Sequence, residues 1–156
     1  MKQEHRLVAE VYHFLAPFIE TTKGIYISLD GEAAKNGVRK GHFKDPAVPD
    51  LWFTFLGKQE PTLIEAKIVD KGTVLVMKSQ LKAWRSNGTG KHKPTSWIVV
   101  NKEFDCFYYW AHSDFLARLD ATKSTQERAR LCLPEKEKRT EFLHVSELSL
   151  HIIKQA

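Results

Sequence analysis

Apolar positions change period several times along the chain, and each change marks an element. Leu7, Val8, Val11, Phe14, Leu15 and Phe18 share one helical stripe, so residues 5–18 predict an opening amphipathic helix that ends near Pro17. GIYIS at 24–28 reads as a strand, and DGEAAKNGVRKG at 30–41 predicts a short helical turn stopped by Asn36-Gly37, with a basic loop running on to Pro46. Strands are predicted at 50–56 and 62–69, joined by GKQEP as a hairpin connection. From Leu75 to Asn87 the period is helical, with Met77, Leu81 and Trp84 at i, i+4, i+7 and Gly88 as the stop. A polar loop, NGTGKHKPT, precedes two more strands, SWIVVN and DCFYYWA, and SDFLARLDA opens a helix with a Ser/Asp cap signal. The tail from Thr122 predicts a helix around 124–131 and is ambiguous after Pro134. No repeat, low-complexity tract or linker interrupts this order. It predicts one mixed α/β domain over residues 1–156, with a core at 5–120 and a C-terminal extension at 121–156.

Within that pattern, one strand carries charge where burial is expected. In PTLIEAKIV the period of two puts Leu63, Glu65 and Lys67 on one face and Ile64, Ala66 and Ile68 on the other. The hairpin returns Asp50 across from this strand, and a register pairing Asp50 with Lys67 would gather both carboxylates and the ammonium on one side. Hard carboxylate oxygens suit Mg²⁺, with Mn²⁺ able to substitute. Glu-x-Lys alone carries little information, since a chain with this many Glu and Lys is expected to show about one by accident. An ion pair on the wet face of a sheet explains Glu65 and Lys67 as well, but explains Asp50 less well.

Composition narrows the setting. The 156 residues are 42% hydrophobic and 11% aromatic, enough to close a core unaided. Cys106 and Cys132 stand far apart with no zinc-type spacing, which argues against a disulfide framework and for a reducing, intracellular, cytoplasmic location. The N-terminus lacks a secretory signal, and no apolar run approaches a membrane span. The net charge of +5 is regional: Lys71 to Lys102 holds seven basic residues and no acid, leaving the remainder near −2. Such a block is either a polyanion footprint or a solubilising surface.

Pro49-Asp50, followed after fourteen residues by Glu65-Ala66-Lys67, resembles the PD-(D/E)XK nuclease superfamily. More narrowly, GEAAKNGVRKG, VPDLWF, LIEAKIVDKG and SQLKAW, in that order over about residues 31–85, are similar to the VRR-NUC group. The resemblance implies a restriction-endonuclease-like core, a mixed central sheet flanked by helices. It further implies metal binding by Asp50, Glu65 and the Ala66 carbonyl, with Lys67 as the catalytic lysine and Gln80 supporting the site. An acid on the first helix would complete the shell, with Glu10 the first candidate and Glu4 the weaker one. Asp45-Pro46-Ala47-Val48 departs from the group's pattern by lengthening the loop before Asp50.

The activity implied is Mg²⁺-dependent hydrolysis of DNA phosphodiesters, selective for branched or junction DNA. The alternatives are a sequence-specific homing or restriction-type endonuclease and a non-catalytic DNA-binding module. Lys78, Lys82 and Arg85 form a basic stripe at i, i+4, i+7, Lys71 precedes it, and Lys91 and Lys93 sit in the Gly-rich loop. Arg39, Lys40 and Lys44 flank the approach to Asp50. Contacts of this kind would neutralise phosphates without reading bases. DNA is the expected partner and a homodimer is possible. Trp52, Trp84, Trp97 and Trp110 read as packing residues.

Overall fold

The computed structural model describes residues 3–28, 38–40, 47–123 and 126–156, and of 38–40 the strand alone. The short helical turn expected within DGEAAKNGVRKG and the loop carrying Lys44 lie outside the described residues. The elements in chain order are α1 (Gln3–Leu15), β1 (Ile25–Ile27), β2 (Val38–Lys40), β3 (Leu51–Phe53), β4 (Thr62–Asp70), β5 (Thr73–Met77) and α2 (Lys78–Trp84). After these come β6 (Ser96–Asn101), β7 (Phe107–Ala111), α3 (Leu116–Ala121), β8 (Arg128–Cys132), β9 (Thr140–Phe142) and α4 (Val145–Gln155). The described strands form one mixed sheet in the order β2-β1-β3-β4-β6-β7-β9, with β5 attached to the far end of β4 and carrying β8. β4 and β6 run parallel at its centre and are buried along most of their length, as strands covered on both faces must be.

Helices cover both faces. On one, Leu7, Val8, Val11 and Leu15 of α1 join Leu148 and Ile152 of α4 over Ile64, Ala66, Ile98 and Phe53. On the other, Leu81 and Trp84 of α2 and Leu119 of α3 close over Trp97, Val99 and Trp110, with Val74 and Val76 of β5 and Leu131 of β8. The tail from 121 is therefore part of the same sheet and cores: β8 pairs β5, β9 pairs β7, and α4 packs with α1.

Three expected elements differ. The helix expected from Leu75 begins at Lys78, because Val74 and Val76 alternate with Thr73, Leu75 and Met77 and bury one face of a strand. The helix expected around 124–131 gives way to β8, where Ala129 and Leu131 turn inward and Arg128 and Arg130 outward. The Ser113/Asp114 cap is absent: those residues lie in a 3₁₀ turn, His112–Asp114, and α3 starts after Phe115 without a side-chain cap. Phe14 and Phe18, assigned to the buried stripe of α1, are exposed: Phe14 lies off the buried line of Val8, Val11 and Leu15, and Phe18 falls in the 3₁₀ turn, Ala16–Phe18, that follows the helix at Pro17.

The sheet forks along one edge of β4, and this positions the site. β3 pairs only with Thr62–Ile64 of β4, and β5 only with Val69 and Asp70. The β4–β5 hairpin turns through Lys71 (φ 52°) and Gly72 (φ 74°), the two left-handed residues that a tight two-residue hairpin requires. Residues 65–68 consequently lie between two strands that have parted.

Candidate active site

β3 and β4 pair Leu51 with Ile64 and Trp52 with Leu63, so the register carried one step further sets Asp50 opposite Glu65. The expected pairing of Asp50 with Lys67 is thus two residues out, because the length of the GKQEP connection fixes the ladder. Asp50 is held from both sides. Ser28 N–H donates to its carbonyl at 2.8 Å, and its own Oδ2 accepts from the Ala66 N–H at 2.9 Å. The carboxylate thereby takes the place a neighbouring strand would fill at the fork. Since one residue's N–H and C=O face the same edge of a strand, the Ala66 carbonyl faces the fork as well.

Glu65 and Lys67 leave β4 on the face covered by α2, and both are buried, 3% and 8% exposed. Lys67 Nζ lies 3.4 Å from Glu65 Oε2 and donates to Gln80 Oε1 at 2.9 Å. Gln80 Nε2 approaches Glu65 Oε2 at 3.4 Å, while its Oε1 also accepts from Met77 N–H at 3.1 Å. The glutamine amide is thereby locked in one orientation by the first turn of α2, and it fixes the lysine in turn. Burial raises Glu65 well above the usual carboxylate range, and the negative charge of Asp50 raises it further, with Lys67 pulling the other way. Two carboxyl groups are pressed together in a cleft of about 510 Å³.

Glu4, on the first turn of α1, lines that cleft, and its charge also acts on Glu65. Glu10 does not line it. It is half-exposed and paired with Arg6 at 2.8 Å, so the helix acid at the cleft is Glu4 and the expectation for Glu10 is corrected. The reason is periodicity: Glu4 continues the line of Val8, Val11 and Leu15 one turn back, whereas Glu10 lies off it.

The expected DNA contacts divide. Lys71, Lys78, Lys82 and Lys91 are exposed. Arg85 instead donates to the carbonyls of Leu119 and Thr122, holding the end of α3, and Lys93 donates to the Arg85 carbonyl at 2.9 Å. Both side chains are therefore occupied within the fold. The loop that carries Lys91 is drawn tightly against α2. A Cβ at Gly88 or Gly90 would stand 2.4 or 2.7 Å from the Ala83 carbonyl oxygen, which is why glycines recur there. Arg39 and Lys40 fall on β2, and Lys44 lies outside the described residues. Trp84, Trp97 and Trp110 are core residues, while Trp52 is half-buried and packs on His92 with ring centres 4.4 Å apart.

Cationic residues at the cleft are Lys102, counted above only as part of the basic block, and Arg128 and Arg130, which sequence reasoning passed over. Lys102 pairs with Asp70 at 3.1 Å. The two arginines were signalled by RARL, in which charged and apolar residues alternate with the strand period.

Among the described residues no group of three His, Cys, Asp or Glu side chains is set to hold a metal ion. The oxygens gathered at the fork are those of two carboxyl groups and one backbone carbonyl, all hard donors. That set fits Mg²⁺ or Mn²⁺, which retain several waters, and does not fit zinc. No family model matches the chain, and no curated protein matches it. A solved structure to which it is similar is that of a bacterial homing endonuclease, at 14% identity and a TM-score of 0.35, with 97% of this chain and 89% of that one covered. At that identity and score the likeness carries no argument, and the chemistry stands on the geometry alone. Among the described residues no helix is long and apolar enough to cross a membrane.

Proposed function

We propose that this protein is a divalent-metal-dependent DNA endonuclease that hydrolyses phosphodiester bonds and selects its substrate by DNA shape, as in branched or junction DNA. One observation carries the reading: Asp50 and Glu65 oppose each other at the fork of the sheet, with the Lys67 ammonium fixed beside them by Gln80. Holding two carboxyl groups together in a buried place costs stability, and a cation relieves that cost. A module that only bound DNA would gain nothing from acids facing phosphate. Asp50, Glu65 and the Ala66 carbonyl would hold the ion, and Glu4 would reach it through solvent. When bound, Mg²⁺ or Mn²⁺ supplies electrophilic stabilisation of the attacked phosphate and a lowered pKa for a bound water. Lys67, held at a single angle, orients the attacking water and counters charge developing on the phosphate. Gln80, bonded to the amine and close to Glu65, sets the angle at which the lysine stands beside the carboxyl group. The exposed Lys78, Lys82 and Lys91 offer contacts to phosphates and not to base edges, which suits choice by shape.

The test is cleavage of linear duplex, flap, four-way-junction and single-stranded DNA with Mg²⁺ or Mn²⁺. Cutting should cease in EDTA and in Glu65→Gln and Lys67→Ala, both of which should still bind DNA. Cutting that survived both substitutions would remove the site, and cutting in EDTA would remove the metal. A preference confined to one linear sequence would replace shape selection with sequence-specific cleavage.

A further inference from the structure

The cleft has a second wall that the chemistry of Asp50, Glu65 and Lys67 does not use. β5 and β8 form a two-stranded ribbon leaving the fork, paired from Thr73 with Cys132 through Met77 with Arg128. Its inner face is Val74, Val76 and Leu131, all buried. The opposite face presents Leu75 and Met77 on β5 beside Arg130 and Arg128 on β8, and all four line the cleft. Arg128 stands directly across from Met77, whose N–H is bonded to the Gln80 side chain that fixes Lys67. The ribbon is thereby joined to Lys67 by a short chain of hydrogen bonds.

Arg128 and Arg130 are exposed, and neither side chain forms an ion pair or hydrogen bond among the described residues. This separates them from Arg85, Arg118 and Arg139, whose guanidiniums are bonded to backbone carbonyls. Alternate residues on a strand stand roughly 6.6 Å apart on one face. That step is commensurate with neighbouring phosphates on one nucleic-acid strand, and a planar guanidinium matches a phosphate with two parallel hydrogen bonds. We infer that Arg128 and Arg130 are substrate-positioning residues that grip two successive phosphates beside the scissile one and lay that strand along the β5–β8 ribbon into the cleft. The inference rests on the reading of the cleft as a nucleic-acid site and adds to it the strand's path and the side chains that set it.

Binding without cleavage separates this inference from the chemistry. In EDTA, a labelled DNA duplex is titrated with wild-type protein and with the double variant Arg128→Gln/Arg130→Gln across about 50 to 200 mM salt. The variant should bind at least about tenfold more weakly, and its plot of log affinity against log salt should be shallower by about 1.8, the value for two lost phosphate contacts. Arg128→Lys/Arg130→Lys should restore the slope and only part of the affinity, because the charge returns without the fork. Both positions are exposed, so the circular dichroism spectra and melting temperatures of all three proteins should agree. An unchanged slope and affinity in the glutamine variant would overturn the inference while leaving metal-dependent cleavage standing. A shallower slope in a protein that cuts no DNA with any metal would uphold the arginines and overturn the nuclease. Wild-type protein that binds no DNA overturns both.

Discussion

β4 shows two surfaces with opposite employment. Ile64, Ala66 and Ile68 face α1 and α4 in a layer that is mainly apolar, while Glu65 and Lys67, one residue out of phase, face α2 in a layer that also buries Gln80 and His112. Both surfaces are dry, so water does not explain the difference. What differs is the edge: where β3 and β5 part, the second surface opens to the cleft and its charges gain a route to solvent and ligand. The apolar surface is what makes the charged one tolerable. A buried acid pair that loses stability must sit on a strand anchored by something else, and here the anchor is the back of the same strand.

The sharpest test of that division compares neighbours. Glu65→Gln should lower the cleavage rate about a thousandfold, a loss typical for removing electrostatic stabilisation at a reacting centre. It should also raise the urea midpoint in metal-free buffer. In the fold the Glu65 carboxyl titrates above its usual range, so stability falls as pH climbs from about 4.5 toward that raised value, and the amide has no such loss. Ile64→Ala should do the reverse: about 2 to 5 kcal/mol less stability with the rate of the folded protein little changed. If Glu65→Gln were destabilised and Ile64→Ala inactive while folded, the two surfaces would not be divided as described.

Next in size is Lys67→Met, which leaves two facing carboxyl groups without their ammonium. At neutral pH it should cost about 3 kcal/mol by denaturant titration, as removal of one member of a buried pair does. Mg²⁺ should restore part of the loss if Asp50 and Glu65 hold the ion. No recovery in millimolar Mg²⁺ would argue that the carboxyl groups do not converge on a cation.

Much of the apolar surface was legible in sequence, because burial on it follows one clean period. Leu7, Val8, Val11 and Leu15 for the helix and Ile64, Ala66 and Ile68 for the strand are set by local geometry alone. The charged surface was legible in residue type but not in arrangement. Asp50, Glu65 and Lys67 stood out in the strand pattern and Gln80 only through the resemblance, whereas the register that joins Asp50 to Glu65 depends on a turn whose length sets the ladder, a tertiary fact. β5 was hidden because Met77, Leu81 and Trp84 make a helical stripe that runs on backward through it. Its strand character comes from β8, more than fifty residues later. Glu4 was underrated for a different reason: counting Phe14 and Phe18 as buried turned the stripe toward Glu10.

The charged surface also contains a group that reports its packing through pH. Trp97 Nε1–H, a donor only, gives its hydrogen to His112 Nδ1 at 3.0 Å, so the imidazole proton lies on Nε2 and is donated to the Trp84 carbonyl at 3.1 Å. Burial holds His112 below its usual value, with the Trp84 carbonyl pulling it back up. A second proton would set N–H against N–H. Its contribution is therefore complete above about pH 6.5 and is lost as pH falls from there toward the lowered value. In a Glu65→Gln background, which removes the opposing carboxyl titration, stability should fall by at most about 1.4 kcal/mol per pH unit below neutrality. His112→Asn should flatten that fall, and an equal slope in both proteins would place the titration elsewhere.

The smallest effect concerns how the charged surface is fastened at its rim. The C-terminal carbonyls of α2 are met by groups from outside the helix: Thr89 N–H on Lys82, Gly90 N–H on Ala83, His112 on Trp84 and Lys93 on Arg85. Arg85 in turn reaches the last carbonyls of α3. A helix of only seven residues is not stable by itself, so these bonds, with Leu81 and Trp84, are what keep Gln80 aimed at Lys67. Arg85→Ala should cost about 1 kcal/mol, the worth of a lost carbonyl cap, with little change in the salt slope of DNA binding because the guanidinium is occupied within the fold. Arg85→Ala that left stability intact but made the slope shallower by about 0.9 would return Arg85 to the phosphate contacts. The fastening of α2 would then rest on the loop and His112 alone.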